Sequence, residues 1–365
     1  MNSSVVIFLP SLDGGGAERV MLNLARGFVE QGIKVDLVLV KAEGPYLSQV
    51  PSEVRLVHLE NKKLLFSLPT LVRYIQKEQP IAILCGENDA NIIALWAKRL
   101  AGMSTRVVVS VHNHLSRESK NSNKLKRQLS PLLARWFYPE ADAVVTVSQG
   151  VAEDLVRLGL PGDNIKVIYN PIFTPELLEK AQHPVAHPWF SAQEPPVILG
   201  VGRLEKQKDF PTLIRAFAQL QQQRPVRLMI LGEGPERSRL EAMVEQLGLT
   251  DSVALPGFVA NPYAYMTHSA VFVLSSIWEG FGNVIVEAMA TGTPVVSTDC
   301  ESGPAEILEN GKYGKLVAME DVEGMAEAIA DTLDRPPNST MLQQRAAEFS
   351  LEKALAQYGQ VLHIS

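Results

Sequence analysis

The sequence predicts an α/β protein made of two doubly wound parallel-sheet domains facing each other across a cleft. Three observations predict it. Short runs rich in Val and Ile recur between segments of helical length along most of the chain. Those runs do not alternate apolar with polar residues, which is how parallel strands buried on both faces read. The pattern stops once, at a proline-rich stretch over residues 171–196, and then restarts. At 365 residues the chain also exceeds the roughly 250–300 at which a single core stops growing.

The first half opens with VVIFLP (5–10), the helical pattern AERVMLNLARGFVEQG, and KVDLVLV (34–40). Further strands are expected at VRLVHL (54–59), IAILCG (81–86), RVVVSVH (106–112), AVVTVS (143–148) and IKVIYN (165–170). Together they place a Rossmann-like domain over 1–171, with a linker over 172–196. A second Rossmann-like domain over 197–348 carries VILGVG (197–202), VRLMILG (226–232), SVALPGF (252–258), AVFVLSS (270–276) and PVVSTD (294–299). The helical spacing of LEKALAQYGQVL suggests that the segment 349–365 packs back onto the first domain. No fixed period of about 20–50 residues runs through the chain, so it is not a solenoid.

Composition narrows the function classes. Hydrophobic residues at 46% and charged residues at 20% are those of an ordinary globular protein. The net charge of −6, from 34 basic and 40 acidic residues, argues against general nucleic-acid binding while allowing a local basic patch. Cys85 and Cys300 lie far apart without metal spacing and read as buried thiols in a reducing compartment. MNSSVVIFLPSLDGGG has no basic n-region, and its apolar run is too short for a signal peptide. No stretch approaches the roughly 18 apolar residues of a membrane span, so a cytoplasmic location is expected.

Ligands of such sheets bind beyond the carboxyl ends of the strands, and the informative residues are there. After the first strand, Gly14, Gly15 and Gly16 form either an anion-accepting turn or simply a tight strand-to-helix turn. A dinucleotide fingerprint starting at Gly14 would need glycine where Arg19 stands, which removes the main support for a dehydrogenase. HNH (112–114) ends a strand. His112 is a site residue or a structural histidine, and two histidines at i and i+2 without a third ligand are poor evidence for a metal.

In VILGVGRLEKQKDF, Arg203 and Lys208 stand between a strand and a helix. They read as a cradle for a diphosphate, or as solvated surface charge. Gly232 and Gly234 in LGEGPE repeat the glycine theme after the next strand. EGFGNVIVE (279–287) sets two glutamates eight positions apart. A continuous helix would rotate the second about 80° from the first and lift it about 12 Å, but glycines at 280 and 282 argue against one. Glu279 is expected on a loop, with Asn283 capping a helix that carries Glu287 one turn in. Backbone amides around Phe281, Gly282, Asn283 and Val284 would then lie between two acceptors suited to sugar hydroxyls. A nucleotide sugar has that order of groups: ring, diphosphate, ring.

GGGAERV, HNH, GRLEKQKD and the E-x7-E of Glu279 and Glu287, each after a strand, resemble a retaining glycosyltransferase of the GT-B fold, family 4, over nearly the whole chain. STDCESGPAEIL (297–308) resembles members that build bacterial surface polysaccharides, lipopolysaccharide and lipid-linked oligosaccharides, although Ala305 stands where several carry a basic residue. The resemblance implies that Arg203 and Lys208 bind the donor diphosphate with the amides of Asn283 and Val284. It implies that Glu287 holds the ribose and that Glu279, Phe281 and Gly282 face the transferred sugar. His112 and Glu279 would be the catalytic pair, Gly16 would approach the phosphates or the acceptor, and the base, uracil by preference, would lie near Phe258 and Val259. It further implies metal-independent transfer with retention, no cofactor, and a glycan or polyprenyl-diphosphate-linked acceptor. A nucleotide-sugar 2-epimerase of the same architecture and a non-catalytic nucleotide-sugar-binding module are the competing readings.

Residues 116–138 bear on the acceptor. Six basic residues stand there against one acid, interleaved with Leu125, Leu129, Leu132, Leu133, Trp136 and Phe137. The segment is either an interfacial element on the anionic inner face of the membrane, or a helix with a core-facing stripe and a solvated basic face, bent or restarted at Pro131.

Overall fold

The structure, a computed structural model, describes residues 4–61, 63–122 and 124–364. Lys62, Asn123 within the basic segment, Ser365 at the end of the last expected helix, and residues 1–3 of the opening stretch lie outside the described residues. The chain forms two compact units, Met1–Ile172 with Leu351–Ser365, and Phe173–Ser350.

The first unit is a parallel sheet of β1 (Val5–Leu9), β2 (Val35–Leu39), β3 (Arg55–His58), β4 (Ala82–Cys85), β5 (Arg106–Val111), β6 (Ala143–Thr146) and β7 (Ile165–Val167). Its spatial order is β3-β2-β1-β4-β5-β6-β7. The second sheet contains β8 (Val197–Val201), β9 (Arg227–Leu231), β10 (Val253–Gly257), β11 (Val271–Leu274), β12 (Val295–Thr298) and β13 (Lys315–Val317). Its order is β10-β9-β8-β11-β12-β13, again with every pairing among them parallel. Every strand expected from the sequence is present; β13 was not expected. Central strands β1, β2, β4, β6 and β11 are buried throughout, whereas the edge strands β3, β7, β10 and β13 are partly exposed because nothing pairs with their outer sides.

Each sheet order reverses once. The chain moves outward from β1 to β3 and then returns to β4 on the other side of β1; likewise it moves from β8 to β10 and returns to β11. Such a reversal splays the two loops that follow the paired strands and leaves a crevice at their carboxyl ends. Gly16, Arg203, Lys208, Glu279 and the segment 281–287 follow these strands, whereas His112 follows β5 and Phe258 and Val259 follow β10.

Two segments differ from expectation. Residues 172–196 are not a bare linker: Thr174 caps a helix, Pro175–Ala181, with its hydroxyl accepting from Leu177 N, and all but the first residue belong to the second unit. The prolines that suggest a linker are compatible with helix there because Pro175 sits at the first helical position, where its missing N–H is not needed. The basic segment forms two helices, Leu115–Asn121 and Leu125–Phe137; the break falls between them, and Pro131 lies inside the second.

The helix Leu351–Leu362 packs in the first unit. Arg106 Nε on β5 donates to Val361 O at 2.6 Å, and Leu355 sits where a Cβ on Gly27 would meet it at 2.4 Å. The helix Gly16–Glu30 therefore needs glycine at 27 to admit it.

Candidate functional site

In the second unit the crevice lies between the loops after β8 and β11. Lys208 follows β8 and Glu279 follows β11; the sheet brings these residues, 71 positions apart, into contact. Lys208 Nζ lies 2.5 Å from Glu279 Oε1, and the two side chains are only 17% and 9% exposed. Ser276 Oγ donates to the same Glu279 oxygen at 2.6 Å. Three hydrogen bonds to backbone carbonyls lock the two loops: Ile277 N donates to Gln207 O, Gln207 Nε2 to Trp278 O, and Ser275 Oγ to Lys208 O. A buried carboxylate is costly unless paired and hydrogen-bonded, and here Lys208 and Ser276 meet that requirement.

Arg203 is held differently. Its side chain is 67% exposed, and its ion pair with Glu205 at 3.4 Å sits at the surface. The two cations of the expected cradle are thus unequal: Lys208 is ion-paired and mostly buried, and Arg203 is exposed with only a surface partner. Gly232 leaves no room for a side chain: with φ +144°, a Cβ there would lie 1.9 Å from Gly202 O. The glycines after β9 thus let its turn press on the turn after β8, a packing role in place of a second phosphate turn.

The helix Asn283–Ala290 begins directly after this loop, with Gly282 as its cap residue at φ +94°, so the cap is Gly282 and not Asn283. Left-handed backbone is tolerated best by glycine. Glu287 is buried on the helix, and Phe281 is buried against Phe349, ring centroids 5.4 Å apart. The Ser-Gly-Pro turn braces the same loop: Trp278 bridges Glu301, and a Cβ on Gly303 would fall 1.8 Å from Phe281 O. The amino end of this helix, which carries partial positive charge, starts four residues after Glu279. After β10, Phe258 is 59% exposed and Val259 half-buried.

In the first unit the crevice lies between the loops after β1 and β4. Gly14 takes φ +93°, and Gly16 starts the helix Gly16–Glu30. The carboxylate of Glu18 folds back over this turn: a Cβ on Gly15 would lie 2.3 Å from Glu18 Oε2. The turn at Gly16 therefore already faces an internal anion. Near it, after β4, is Glu87, not expected as a site residue although CGEND places a carboxylate directly after a strand. Burial, then the carboxylates of Glu18, Asp89 and Asp13, push the Glu87 carboxyl up to about 7.

The two histidines of HNH separate in role. His114 is buried with Nδ1 3.2 Å from Asp154 Oδ2, and Ser116 N donates to the same oxygen. Burial alone would raise the Asp154 carboxyl, but these bonds hold it below the usual carboxylate range. His114 is structural. His112 is half-buried, its Nε2 3.0 Å from Ser110 Oγ, which is also 3.4 Å from the hydroxyl of Tyr358 on the last helix. Its buried Nδ1 has no hydrogen-bond partner among the described residues. Burial pulls the imidazole down to about 4, so the ring is neutral at physiological pH. Cys85 and Cys300 are buried free thiols.

Comparison with known proteins places this geometry. The family model "Glycosyltransferase Family 4" matches residues 14–174, and "Glycosyl transferases group 1" matches residues 186–349. The chain is 32% identical over 345 residues to the N-acetylgalactosamine-N,N'-diacetylbacillosaminyl-diphospho-undecaprenol 4-alpha-N-acetylgalactosaminyltransferase of Campylobacter jejuni, covering 90% of this chain and 89% of that protein. It is 29% identical to the lipopolysaccharide core biosynthesis glycosyltransferase LpsE of Rhizobium meliloti, covering 95% and 96%. Among solved structures it resembles Anabaena HepE in complex with UDP and glucose, with a TM-score of 0.82, 22% identity and 99% of each chain covered. The two sheets, the loops that follow their central strands and these matches agree: the chain belongs to the family 4 glycosyltransferases and is an enzyme of the GT-B fold.

Proposed function

We propose that the protein transfers a hexose or N-acetylhexosamine from a UDP-sugar, with retention and without a metal, to a hydroxyl of a polyprenyl-diphosphate-linked sugar or a lipopolysaccharide-type glycan. The Lys208–Glu279 pair in the crevice of the second unit is the observation that carries this reading. Lys208, Arg203 and the amino end of the helix at Asn283 and Val284 neutralise the diphosphate. When the donor phosphate takes the ammonium of Lys208, Glu279 Oε1, still held by Ser276, has a lone pair left to accept a sugar hydroxyl. Glu287 takes the ribose, Phe281 and Gly282 the sugar, and Phe258 and Val259 the base. His112, neutral and with Nδ1 open, is assigned to a hydroxyl of the transferred sugar. Gly16 is assigned to the acceptor rather than the phosphates, because the Glu18 carboxylate beside it repels anions.

As the diphosphate departs, positive charge fixed at Lys208 stabilises it, and a phosphate oxygen deprotonates the acceptor on the same face. The names of the relatives support the acceptor class, and the UDP in the HepE structure supports the nucleotide. Two buried, unbridged thiols fit a reducing cytoplasmic setting.

The test is turnover of labelled UDP-hexoses and UDP-N-acetylhexosamines with a short polyprenyl-diphosphate-sugar, with and without EDTA, the product anomer read by NMR. An α-linked product formed equally in EDTA supports the reading. Inversion, loss of turnover in EDTA, epimer release or binding without transfer each contradicts a named part of it.

A further inference from the structure

We infer that Ser110 is a positioning residue for His112: its hydroxyl donates to Nε2 and so keeps the ring proton on Nδ1, the nitrogen turned to the sugar. This rests on the reading that His112 meets the transferred sugar, and it names the hydrogen-bonding role the ring plays there.

Three groups converge in the first unit. Residues two apart on a strand point to one face, so Ser110 on β5 and His112 directly after it share a side. The helix Leu351–Leu362 is pinned to β5 by the bond from Arg106 Nε to Val361 O. It brings the Tyr358 hydroxyl to 3.4 Å from Ser110 Oγ, which lies 3.0 Å from His112 Nε2. From the helix Asn88–Ala101, Asn91 Nδ2 donates to Ser110 O at 3.1 Å and steadies the strand at this point.

Counting protons fixes the direction of these bonds. Ser110 and Tyr358 are 0% exposed, so neither hydroxyl reaches bulk water. Among the described residues neither has a further side-chain partner. Burial pushes the Tyr358 hydroxyl up to about 12, so it keeps its proton, and the neutral His112 ring carries one. Three arrangements are then available. If Nε2–H donates to Ser110 and Ser110 donates to Tyr358, the Tyr358 proton has no acceptor. If Nε2–H and Tyr358 both donate to Ser110, the serine proton has none. If Tyr358 donates to Ser110 and Ser110 donates to Nε2, both hydroxyl protons are placed. A buried donor without an acceptor carries its full desolvation penalty, which selects the third. Nε2 is then an acceptor, and the ring proton stands on Nδ1.

In that arrangement the unplaced donor is Nδ1–H itself, buried and unpartnered among the described residues. His112 thus offers the sugar a proton donor. Its partner is an oxygen lone pair, on a hydroxyl or an acetamido carbonyl, and through Nδ1 it cannot act as a base.

The experiment is long-range proton–nitrogen correlation NMR at pH 7 on the full chain labelled with nitrogen-15 histidine. The unaltered chain is compared with Ser110→Ala and Tyr358→Phe, each of which deletes one hydroxyl oxygen. The His112 signals are identified by their loss in His112→Asn. Expected is a proton on Nδ1 in the unaltered chain and a shift toward Nε2–H in Ser110→Ala. Tyr358→Phe leaves Ser110 its ring partner and should keep the proton on Nδ1. With Ser110→Ala, kcat/KM for the nucleotide sugar should fall about threefold to tenfold at unchanged acceptor KM, the scale of one hydrogen bond. A proton on Nε2 in the unaltered chain overturns the inference. So does a tautomer that Ser110→Ala leaves in place or that Tyr358→Phe moves. If the spectra come out as expected while His112→Ala keeps full turnover, the tautomer assignment stands and the contact between His112 and the sugar is refuted.

Discussion

The two sheet reversals have the same architecture and opposite chemistry. Between β8 and β11 the crevice holds Lys208 against Glu279, with Arg203 at its rim and a helix amino end alongside. Between β1 and β4 it holds Glu18 and Glu87, with Asp13 and Asp89 near enough to raise the Glu87 pKa. Doubly wound sheets make the crevice in both cases; what it can hold is set by the few residues that follow each strand. The first gathers cations and helix dipole, as a diphosphate requires. The second gathers carboxyl groups, which repel phosphate and accept hydrogen bonds from hydroxyls. The comparison supports the proposed division, donor on one unit and acceptor on the other.

The largest expected effect tests the cationic side. Lys208→Ala is expected to lower kcat/KM at least 100-fold, about 2.7 kcal/mol of transition-state stabilisation. It also strips Glu279 of its ion-pair partner in a mostly buried site, so the melting temperature should fall. Adding Glu279→Gln should recover stability without recovering turnover. If the single variant keeps normal steady-state rates, the diphosphate is held elsewhere.

The acidic side is sharpened by pH. A carboxyl raised to about 7 holds its proton in the folded protein while the unfolded chain has lost it. Its contribution to stability is therefore present below the unfolded value near 4.5 and is lost as pH rises through 7. Glu87→Gln should relieve a penalty of about 1–2 kcal/mol above pH 7, discounted for partial exposure, and change little at pH 4. Denaturant titrations at the two values check it; equal effects at both would show that Glu87 is not held protonated. His112 has the opposite history: its pKa is depressed to about 4, so its contribution is intact above 6.5 and is lost as pH falls toward 4.

The smallest effect concerns the base. Phe258→Ala should raise KM for the nucleotide sugar about threefold to fivefold, the scale of one aromatic stacking contact, with kcat unchanged. Steady-state kinetics decides it, and a change confined to kcat would place Phe258 elsewhere in the reaction.

Strand positions were legible because buried parallel strands leave unbroken apolar runs. β13 was not, since Lys315–Val317 on the sheet edge offers only two apolar residues in a row, too short a run to read as a strand. The helix Pro175–Ala181 carried a readable start signal in Thr174 and Pro175, which the density of prolines around it concealed. In the site, residue types and their order after each strand were visible, but partnership was not. Lys208 and Glu279 meet only because β8 and β11 are neighbours, and Glu87 acquires its proton affinity from burial and from Glu18 across the fold. Both depend on strand order, which no local pattern encodes.

The final helix carries a practical lesson for anyone recombining such enzymes. Leu355 against Gly27, Val361 beneath Arg106 and Tyr358 near the serine that steadies His112 make the last fifteen positions a remote piece of the amino-terminal half. A chimera spliced once near residue 172 would inherit a mismatched buttress, whereas a second splice near 350 keeps each half with its own scaffolding.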